Sequence, residues 1–188
     1  MQVGKPVEEI VDDQRGKRRK DDSSEIEFKK EKKIYATTDF KIGLEVAFGR
    51  LCLSKDQFIY KHHGIITNIC DCTNQFEIVE LTANDTPGVF SAAISSRNMR
   101  PKIMKQFIPF DEPDLFCYDY KHLSFSNEII KERTELVFRT FSQSGLQYNL
   151  KTFNCEHLAS YCTTGVAFSK QIPIVEINKD ATETLDKM

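Results

Sequence analysis

The stretch that most constrains this chain is residues 152–162, Thr-Phe-Asn-Cys-Glu-His-Leu-Ala-Ser-Tyr-Cys, where a cysteine, an acid and a histidine precede an apolar helical pattern. Asn154 is a favoured N-cap residue, so Cys155 is predicted to occupy the first position of a helix. There the backbone N–H groups and the positive end of the helix dipole stabilise a thiolate, the nucleophilic form of cysteine. Taken alone, a cysteine at this position is more often a small packing residue. Cys155 is therefore a candidate nucleophile that needs support from the rest of the chain.

The length and composition indicate one ordered domain with tails. The chain has 188 residues, 40% of them apolar, and its 14 Phe and 6 Tyr are ample material for a core. A formal net charge of −2 gives no electrostatic reason to expect a nucleic-acid partner. No secretory signal is visible, and no apolar run approaches the roughly 18–20 residues that a transmembrane helix needs. We therefore expect no transmembrane segment and a cytoplasmic or nuclear location.

The six cysteines do not indicate a disulfide scaffold. In a reducing compartment thiols persist unless they bind a metal or react. The one close pair, Cys70 and Cys72, is separated by a single residue, and no second Cys or His pair follows at the spacing of a zinc finger. The sequence therefore predicts no structural metal site, and it implies no cofactor.

The two ends of the chain differ in composition from its middle. Residues 1–33 are dense in charge and poor in apolar side chains, so they cannot bury enough apolar surface to become ordered and are predicted to be disordered. Their basic cluster at 15–20 is compatible with a nuclear-import signal, a contact with anionic membranes or a simply solvated tail. The ordered domain is placed at 34–172, and the polar residues 173–188 are predicted to form a frayed C-terminal tail.

Hydrophobic periodicity predicts several strands followed by two helices. The candidate strands are 40–48 with a turn at Gly43, 57–67, 76–82, short pieces at 92–94 and 107–109, and 114–120. The second and third strands are separated by turn residues and are predicted to form a hairpin. The predicted helices are about 128–142, capped by Ser126 and Asn127, and one that begins at Cys155 and ends near Gly165.

A cysteine nucleophile needs a base, and the base needs a group that orients it. His62 lies on the second predicted strand, and period-two alternation puts its side chain on the face opposite that of His63, to which no role is assigned. Glu80, on the third strand, lies beside His62 if the hairpin register puts both on one face. Its carboxylate would then fix the tautomer of the imidazole. A histidine in an apolar strand is more often a satisfied core residue, so spacing alone leaves this pairing open.

Two motifs resemble those of a known family. Asn154-Cys155-Glu156-His157, with Tyr148-Asn149-Leu150 before it and Tyr161-Cys162 after it, resembles the NCEH motif of the lecithin:retinol acyltransferase family. Residues 58–66, Phe-Ile-Tyr-Lys-His-His-Gly-Ile-Ile, resemble the histidine strand of that family and precede the cysteine in the same order. The resemblance covers about residues 38–172. It implies an α+β, circularly permuted papain-like fold in which an antiparallel sheet packs against helices.

The resemblance also implies an activity. Family members form an acyl-thioester on the cysteine from a phospholipid and pass the acyl group to water or to another acceptor. Carried over, Cys155 would be the nucleophile and His62 the general base and later acid. Glu80 stands where members usually have a second histidine or another polar residue, and a carboxylate is chemically able to fill that role. His157 belongs to the motif but is expected to be structural.

The route to a phospholipid is a separate expectation. Well-studied members of the family carry a C-terminal membrane anchor, and the sequence shows none, since only Ile172-Pro173-Ile174-Val175 is apolar after residue 171. Access to lipid would then come through peripheral membrane contact, with the basic N-terminal residues as the candidate surface.

Two other interpretations stay open. A non-catalytic regulatory or interaction module of the same fold would keep its function when Cys155 is replaced by alanine. A cysteine peptidase or amidase would turn over amides in preference to esters. His62 and Cys155 together favour the acyl-enzyme, whereas Glu80 and the missing anchor leave room for the module.

Overall fold

The computed structural model describes residues 30–34, 37–51, 59–82, 101–149, 152–170 and 178–188. Within these ranges the strands are β1 (Lys30–Lys33), β2 (Glu45–Leu51), β3 (Ile59–Cys70), β4 (Gln75–Thr82), β5 (Lys102–Pro109) and β6 (Leu115–Asp119). The α-helices of the same ranges are α1 (Asn127–Thr140), α2 (Cys155–Thr164) and α3 (Lys179–Asp186).

The sheet is organised around β3. Its strands have the order β1-β6-β2-β3-β4-β5, and each neighbouring pair is antiparallel. β3 is 12 residues long. It pairs with β2 along its first half and with β4 along its second, and the two ladders share only Gly64 and Ile65. An antiparallel sheet with helices confirms the predicted α+β class, while the permuted papain-like connection stays a prediction.

Each face of the sheet carries its own apolar core, because successive side chains of a strand point to opposite faces. One core lies between the sheet and the helices, and its members include Ile65, Leu81, Val137, Leu158 and Ala159. The core on the other face includes Phe40, Val46, Phe48, Ile66, Phe76 and Ile78. Each fully buried side chain of this size contributes roughly 1.5–3 kcal/mol relative to an exposed one. The alternation of Ile65 and Ile66 therefore anchors β3 from both sides.

The connection between β3 and β4 is short, as the hairpin prediction requires. Asp71–Thr73 forms a single 3-10 turn, and Asn74 closes it in the left-handed region at φ 51°. Asparagine tolerates this conformation better than most residues. The register shifts between Ile66 and Asn68, which marks a β-bulge between the tip of the hairpin and the half of β3 that carries His62.

The helix predictions are confirmed at both ends of the cysteine helix and at the start of α1. The side chain of Ser126 accepts a hydrogen bond from the N–H of Ile129. α2 ends at Gly165, whose φ of 79° is a left-handed conformation that glycine adopts without steric cost. Among the helices of the described ranges, none combines the length and the apolar character that crossing a membrane requires.

Three expectations need correction. Lys30–Lys33, assigned to the disordered tail, form a strand that pairs with β6. The short piece at 107–109 is the end of the longer strand β5. The C-terminal residues, expected to be frayed, include α3, which buries Ala181 and Leu185 in the core between sheet and helices. Distant partners order these polar segments, and local composition does not reveal such partners. The predicted piece at 92–94 and the basic cluster at 15–20 lie outside the described residues.

Candidate active site

Cys155 is the first residue of α2, as predicted, and a reciprocal cap holds it there. The side-chain oxygen of Asn154 accepts hydrogen bonds from the N–H groups of Glu156 at 2.9 Å and His157 at 3.2 Å. In return, Nδ1 of His157 accepts from the N–H of Asn154 at 3.2 Å. This capping box satisfies three backbone donors at once, so the expected structural role of His157 is visible in its contacts. Cys155 therefore sits, 1% exposed, at the positive end of the helix dipole.

A second layer of contacts fixes the turn that presents Cys155. The Glu156 carboxylate accepts from the Ser169 hydroxyl at 2.5 Å and from the N–H of Lys170 at 2.9 Å. On the other flank, the side chain of Asn178 donates to the carbonyl oxygen of Thr152. Since Asn178 is also the N-cap of α3, the C-terminal helix is tied to the segment just before the cysteine.

His62 and Glu80 form a buried pair on the face opposite the helices. The register sets Glu80 opposite Gly64, one step along the same face from His62. Nε2 of His62 lies 2.8 Å from a carboxylate oxygen of Glu80, and the two residues are only 3% and 4% exposed. The imidazole also packs edge-on against Phe48, with the ring centroids 5.6 Å apart. Glu80 thus holds one ring nitrogen and leaves the imidazole few orientations.

The surroundings of His62 raise its pKa to about 10. Burial alone would lower this pKa, because a buried imidazole resists taking a charge. The charge of Cys155 and a hydrogen bond with its side chain outweigh burial, and Glu80 acts in the same direction. A histidine with this pKa carries its proton at neutral pH, so an imidazolium lies between the sulfur and the carboxylate.

The backbone of β3 changes partners at this point. The N–H of Ile66 donates on the β2 side, and successive residues of a strand direct their backbone groups to alternate sides. The N–H of His63 and the carbonyl of Lys61 therefore face the β4 side. The last pair of the β3–β4 ladder is Gly64 with Glu80, so the ladder stops just short of these two groups.

The Cys155 sulfur occupies the place where the ladder stops. The N–H of His63 donates to Sγ at 3.4 Å, and Sγ lies 4.0 Å from the carbonyl oxygen of Lys61. The sulfur therefore contacts the two backbone groups of β3 that lie just beyond the last residue pair of the β3–β4 ladder. From this position it meets His62, although α2 packs on one face of the sheet and the imidazole points to the other.

A second histidine–glutamate pair lies on the helix side of β3. Nδ1 of His63 is 2.7 Å from Glu45, which also accepts a hydrogen bond from the Tyr120 hydroxyl. Tyr118 stacks on the His63 ring with the centroids 5.1 Å apart. Burial, followed by the charge of Glu45, raises the pKa of Tyr120 well above its ordinary value, so the phenol stays a donor. This network joins the start of β2 to the C-terminal end of the neighbouring strand β6, where Tyr118 lies in the strand and Tyr120 directly follows it.

The structure brings the three predicted site residues, Cys155, His62 and Glu80, into one cluster, while their catalytic roles stay predictions. The pair of His63 with Glu45 was not predicted from the sequence. A signal was present in Glu45 itself, an acid within the apolar run of β2, because a buried carboxylate needs a partner. No feature of the sequence indicates that the backbone N–H of His63 donates to the Cys155 sulfur.

Comparison with known protein families gives a match over most of the chain. A model of the family described as Lecithin retinol acyltransferase matches residues 38–168. The matched range begins before β2 and ends just after α2, so it includes both the histidine strand and the cysteine helix, and it leaves out β1 and α3. No curated protein and no solved structure matches the chain.

Proposed function

Because the chain belongs to the lecithin retinol acyltransferase family, we propose that it is a cysteine-dependent acyltransferase or phospholipase that takes an acyl group from a phospholipid. The observation that carries the proposal is the position of His62, which lies 2.8 Å from Glu80 and interacts with Cys155 through charge and a hydrogen bond. A nucleophile, a base and an orienting carboxylate in this order are what acyl transfer through a thiol requires.

In the first half of the proposed reaction, the Cys155 thiolate attacks the ester carbonyl carbon of the phospholipid. The dipole at the start of α2 stabilises the negative charge of the thiolate and of the tetrahedral intermediate. When the carbon–oxygen bond breaks, the His62 imidazolium gives its proton to the leaving oxygen. The products are a lysophospholipid and an acyl-thioester on Cys155.

In the second half, His62 acts as the base. Neutral imidazole accepts the proton of water or of an acceptor hydroxyl or amine as that group attacks the thioester carbonyl. The thiolate leaves, and the imidazolium beside it is restored. With Nε2–H directed to Glu80, the lone pair of the neutral ring is on Nδ1, so the carboxylate selects the tautomer that can serve as the base.

Substrate access is the demanding step, because Cys155 is 1% exposed. Contact with a lipid surface is part of the proposal, and its candidate surface, the basic cluster at 15–20, lies outside the described residues. Within β1, Lys33 is engaged with Asp114 at 2.9 Å and is therefore a poor candidate for lipid headgroups. Deleting residues 1–28 separates lipid contact from chemistry, since it should weaken vesicle binding while the turnover of a short-chain soluble ester persists.

The proposal is tested by incubating the protein with phosphatidylcholine vesicles, quenching with acid, and measuring both intact mass and released fatty acid. The expected result is a fatty-acyl mass increment, or fatty-acid release, that Cys155→Ala abolishes. Cys162→Ala is the matched control, since Cys162 is a buried cysteine of the same helix and its loss should leave both signals in place.

A protein that is folded and reduced at Cys155, yet shows neither signal, would contradict the proposal. In that case the non-catalytic module would be the better explanation. Turnover of amides in preference to esters would instead favour the peptidase or amidase.

A further inference from the structure

A second pair of reactive groups lies at the tip of the β3–β4 hairpin, away from Cys155. Cys70 ends β3 and Cys72 lies in the 3-10 turn that follows. Both thiols are free, Cys72 is exposed and Cys70 is partly exposed. Their sulfurs are 2.9 Å apart. Exposed cysteines do not contribute to a core, so packing does not explain why two of them occupy this turn.

The turn holds the two residues at a separation that suits a covalent bridge. The distance between the Cα atoms of Cys70 and Cys72 is set by the dihedral angles of Asp71 between them, and the 3-10 conformation of Asp71 gives roughly 5 Å, from about three residues per turn and a rise of about 2 Å per residue. Disulfides span roughly 4.4–6.8 Å between Cα atoms. The backbone therefore needs little rearrangement for the two sulfurs to bond.

The two thiols also differ in character. The hydrogen bond between the two sulfurs, followed by one with Thr73, lowers the pKa of Cys70. The same contact raises the pKa of Cys72. In thiol–disulfide exchange the thiolate attacks, and the lowered pKa favours this form of Cys70, while the 2.9 Å between the sulfurs places Cys72 within reach of a mixed disulfide on Cys70.

We propose that Cys70 and Cys72 are a surface redox site that exchanges with small-molecule disulfides and closes reversibly into a Cys70–Cys72 disulfide. The Cys70 thiolate attacks one sulfur of the small disulfide, whose S–S bond breaks and releases one small thiol. Cys72 then gives up its proton and attacks the Cys70 sulfur, which displaces the second small thiol. Two protein thiols are oxidised, and one small disulfide is reduced to two thiols that carry the two protons. An exposed bridge of this kind belongs with the labile disulfides.

This site is independent of the proposed acyl chemistry. Cys70 is roughly 25 Å from His62 along β3, at about 3.3 Å per residue. The bulge between Ile66 and Asn68 lies between them. The Cys155 thiol is buried and cannot meet the hairpin tip, so it is not the resolving partner of either cysteine.

The test equilibrates the full chain with mixtures of oxidised and reduced glutathione, followed by acid quenching, alkylation of free thiols and peptide mass mapping. The expected product is a peptide containing Cys70 and Cys72 that has lost two hydrogens and is not alkylated. Cys72→Ser should instead trap one glutathione on Cys70. Cys117→Ser and Cys155→Ala should leave closure of the bridge unchanged, since burial raises the pKa of Cys117 and Cys155 lies elsewhere.

A synthetic peptide of residues 68–76 shows what the fold contributes. The protein should close its bridge at a severalfold lower proportion of oxidised glutathione than the peptide. Closure that is no easier in the protein than in the peptide would overturn the proposal. So would alkylation of both cysteines to the same extent as Cys117, or loss of the bridge in Cys155→Ala.

Discussion

β3 carries two histidine–glutamate pairs, one on each face of the sheet. His62 pairs with Glu80 and His63 pairs with Glu45, and comparing the two shows which surroundings suit a catalytic role and which suit a structural one. The pairs are alike in depth, since His62 and Glu80 are 3% and 4% exposed and His63 and Glu45 are each 1% exposed. Their heavy-atom distances are 2.8 Å and 2.7 Å. By burial and distance alone, the two pairs would be given the same role.

The difference lies in the third group that reaches each pair. The His62 imidazole meets the Cys155 sulfur, and the two neighbours Cys155 and Glu80 outweigh burial and raise the pKa of His62 to about 10. Glu45 meets the Tyr120 hydroxyl, which donates and keeps its proton. A thiolate can attack a carbonyl carbon, whereas a phenol with a raised pKa can only hold a hydrogen bond. The two neighbouring histidines thus differ in the groups around them, and only His62 has the surroundings that the proposed function requires.

The largest expected effect compares the two histidines directly. His62→Gln should slow fatty-acid release from phosphatidylcholine vesicles by about 10³-fold, because it removes the proposed acid and base. His63→Gln should keep most of the rate per folded molecule, since the backbone N–H that contacts Cys155 remains. Release rates corrected for the folded fraction measure the difference. Equal losses of release rate in the two variants would mean that the two histidine–glutamate pairs do not differ in their contribution to the reaction.

A pH series tests the first pair alone. The pKa of His62 is raised from its ordinary 6.5 to about 10, so the native state holds a proton that the unfolded chain releases between these values. The contribution of His62 to stability is therefore complete below about pH 6.5 and is lost as the pH rises through about 10. The difference in unfolding free energy between the native protein and His62→Gln should therefore fall as the pH rises through this window.

Urea unfolding at several pH values measures this slope, and Cys155→Ala is its control. Removing the sulfur removes the largest influence that raises the pKa of His62. The pH range over which the stability contribution of His62 is lost should therefore become narrower. A slope that is the same with and without Cys155 would show that the sulfur does not act on the imidazole.

Replacing Glu45 should break the second pair. Glu45→Gln is expected to lower the free energy of unfolding by about 2–3 kcal/mol, because it disturbs buried hydrogen bonds to His63 and Tyr120. Acylation by the molecules that stay folded should persist. The matched variant Glu80→Gln should instead lower the rate of fatty-acid release more than it lowers the free energy of unfolding. Urea midpoints and release rates, measured on both variants, decide between these patterns.

The smallest expected effect comes from the edge of the second network. Tyr120→Phe removes one hydrogen bond to Glu45 and should cost about 1 kcal/mol of stability. The release rate should not change. A fall in rate without a fall in the urea midpoint would place Tyr120 in the chemistry and erase the contrast between the pairs.

The parts of the site that are local in sequence could be predicted. The roles of Asn154 as helix cap and Cys155 as first helical residue follow from residues that are adjacent in the sequence. The short hairpin connection restricts Glu80 to a few positions relative to His62. Period-two alternation correctly separated the faces of His62 and His63. These inferences use interactions that span a few residues, or a register that a turn fixes.

The rest depends on contacts between distant residues. Tyr120 and Glu45 are 75 positions apart, and the N–H of His63 is 92 positions from the Cys155 sulfur. β1 and α3 were misjudged for the same reason, because their order comes from β6 and from the helical core. The composition of a segment shows how much apolar surface it can bury by itself. It does not show which distant strand or helix the segment will pack against.

The Cys155 sulfur is positioned by main-chain atoms of β3, and this has a consequence for how the strand tolerates mutation. Every residue except proline supplies the N–H that position 63 gives to the sulfur. Both contacts with the sulfur come from backbone atoms, while the side chains of Lys61 and His63 bind Glu31 and Glu45 respectively. The residue that follows the proposed base can therefore vary without removing the hydrogen-bond donor to Cys155, provided that it is not proline and that Glu45 keeps a buried partner.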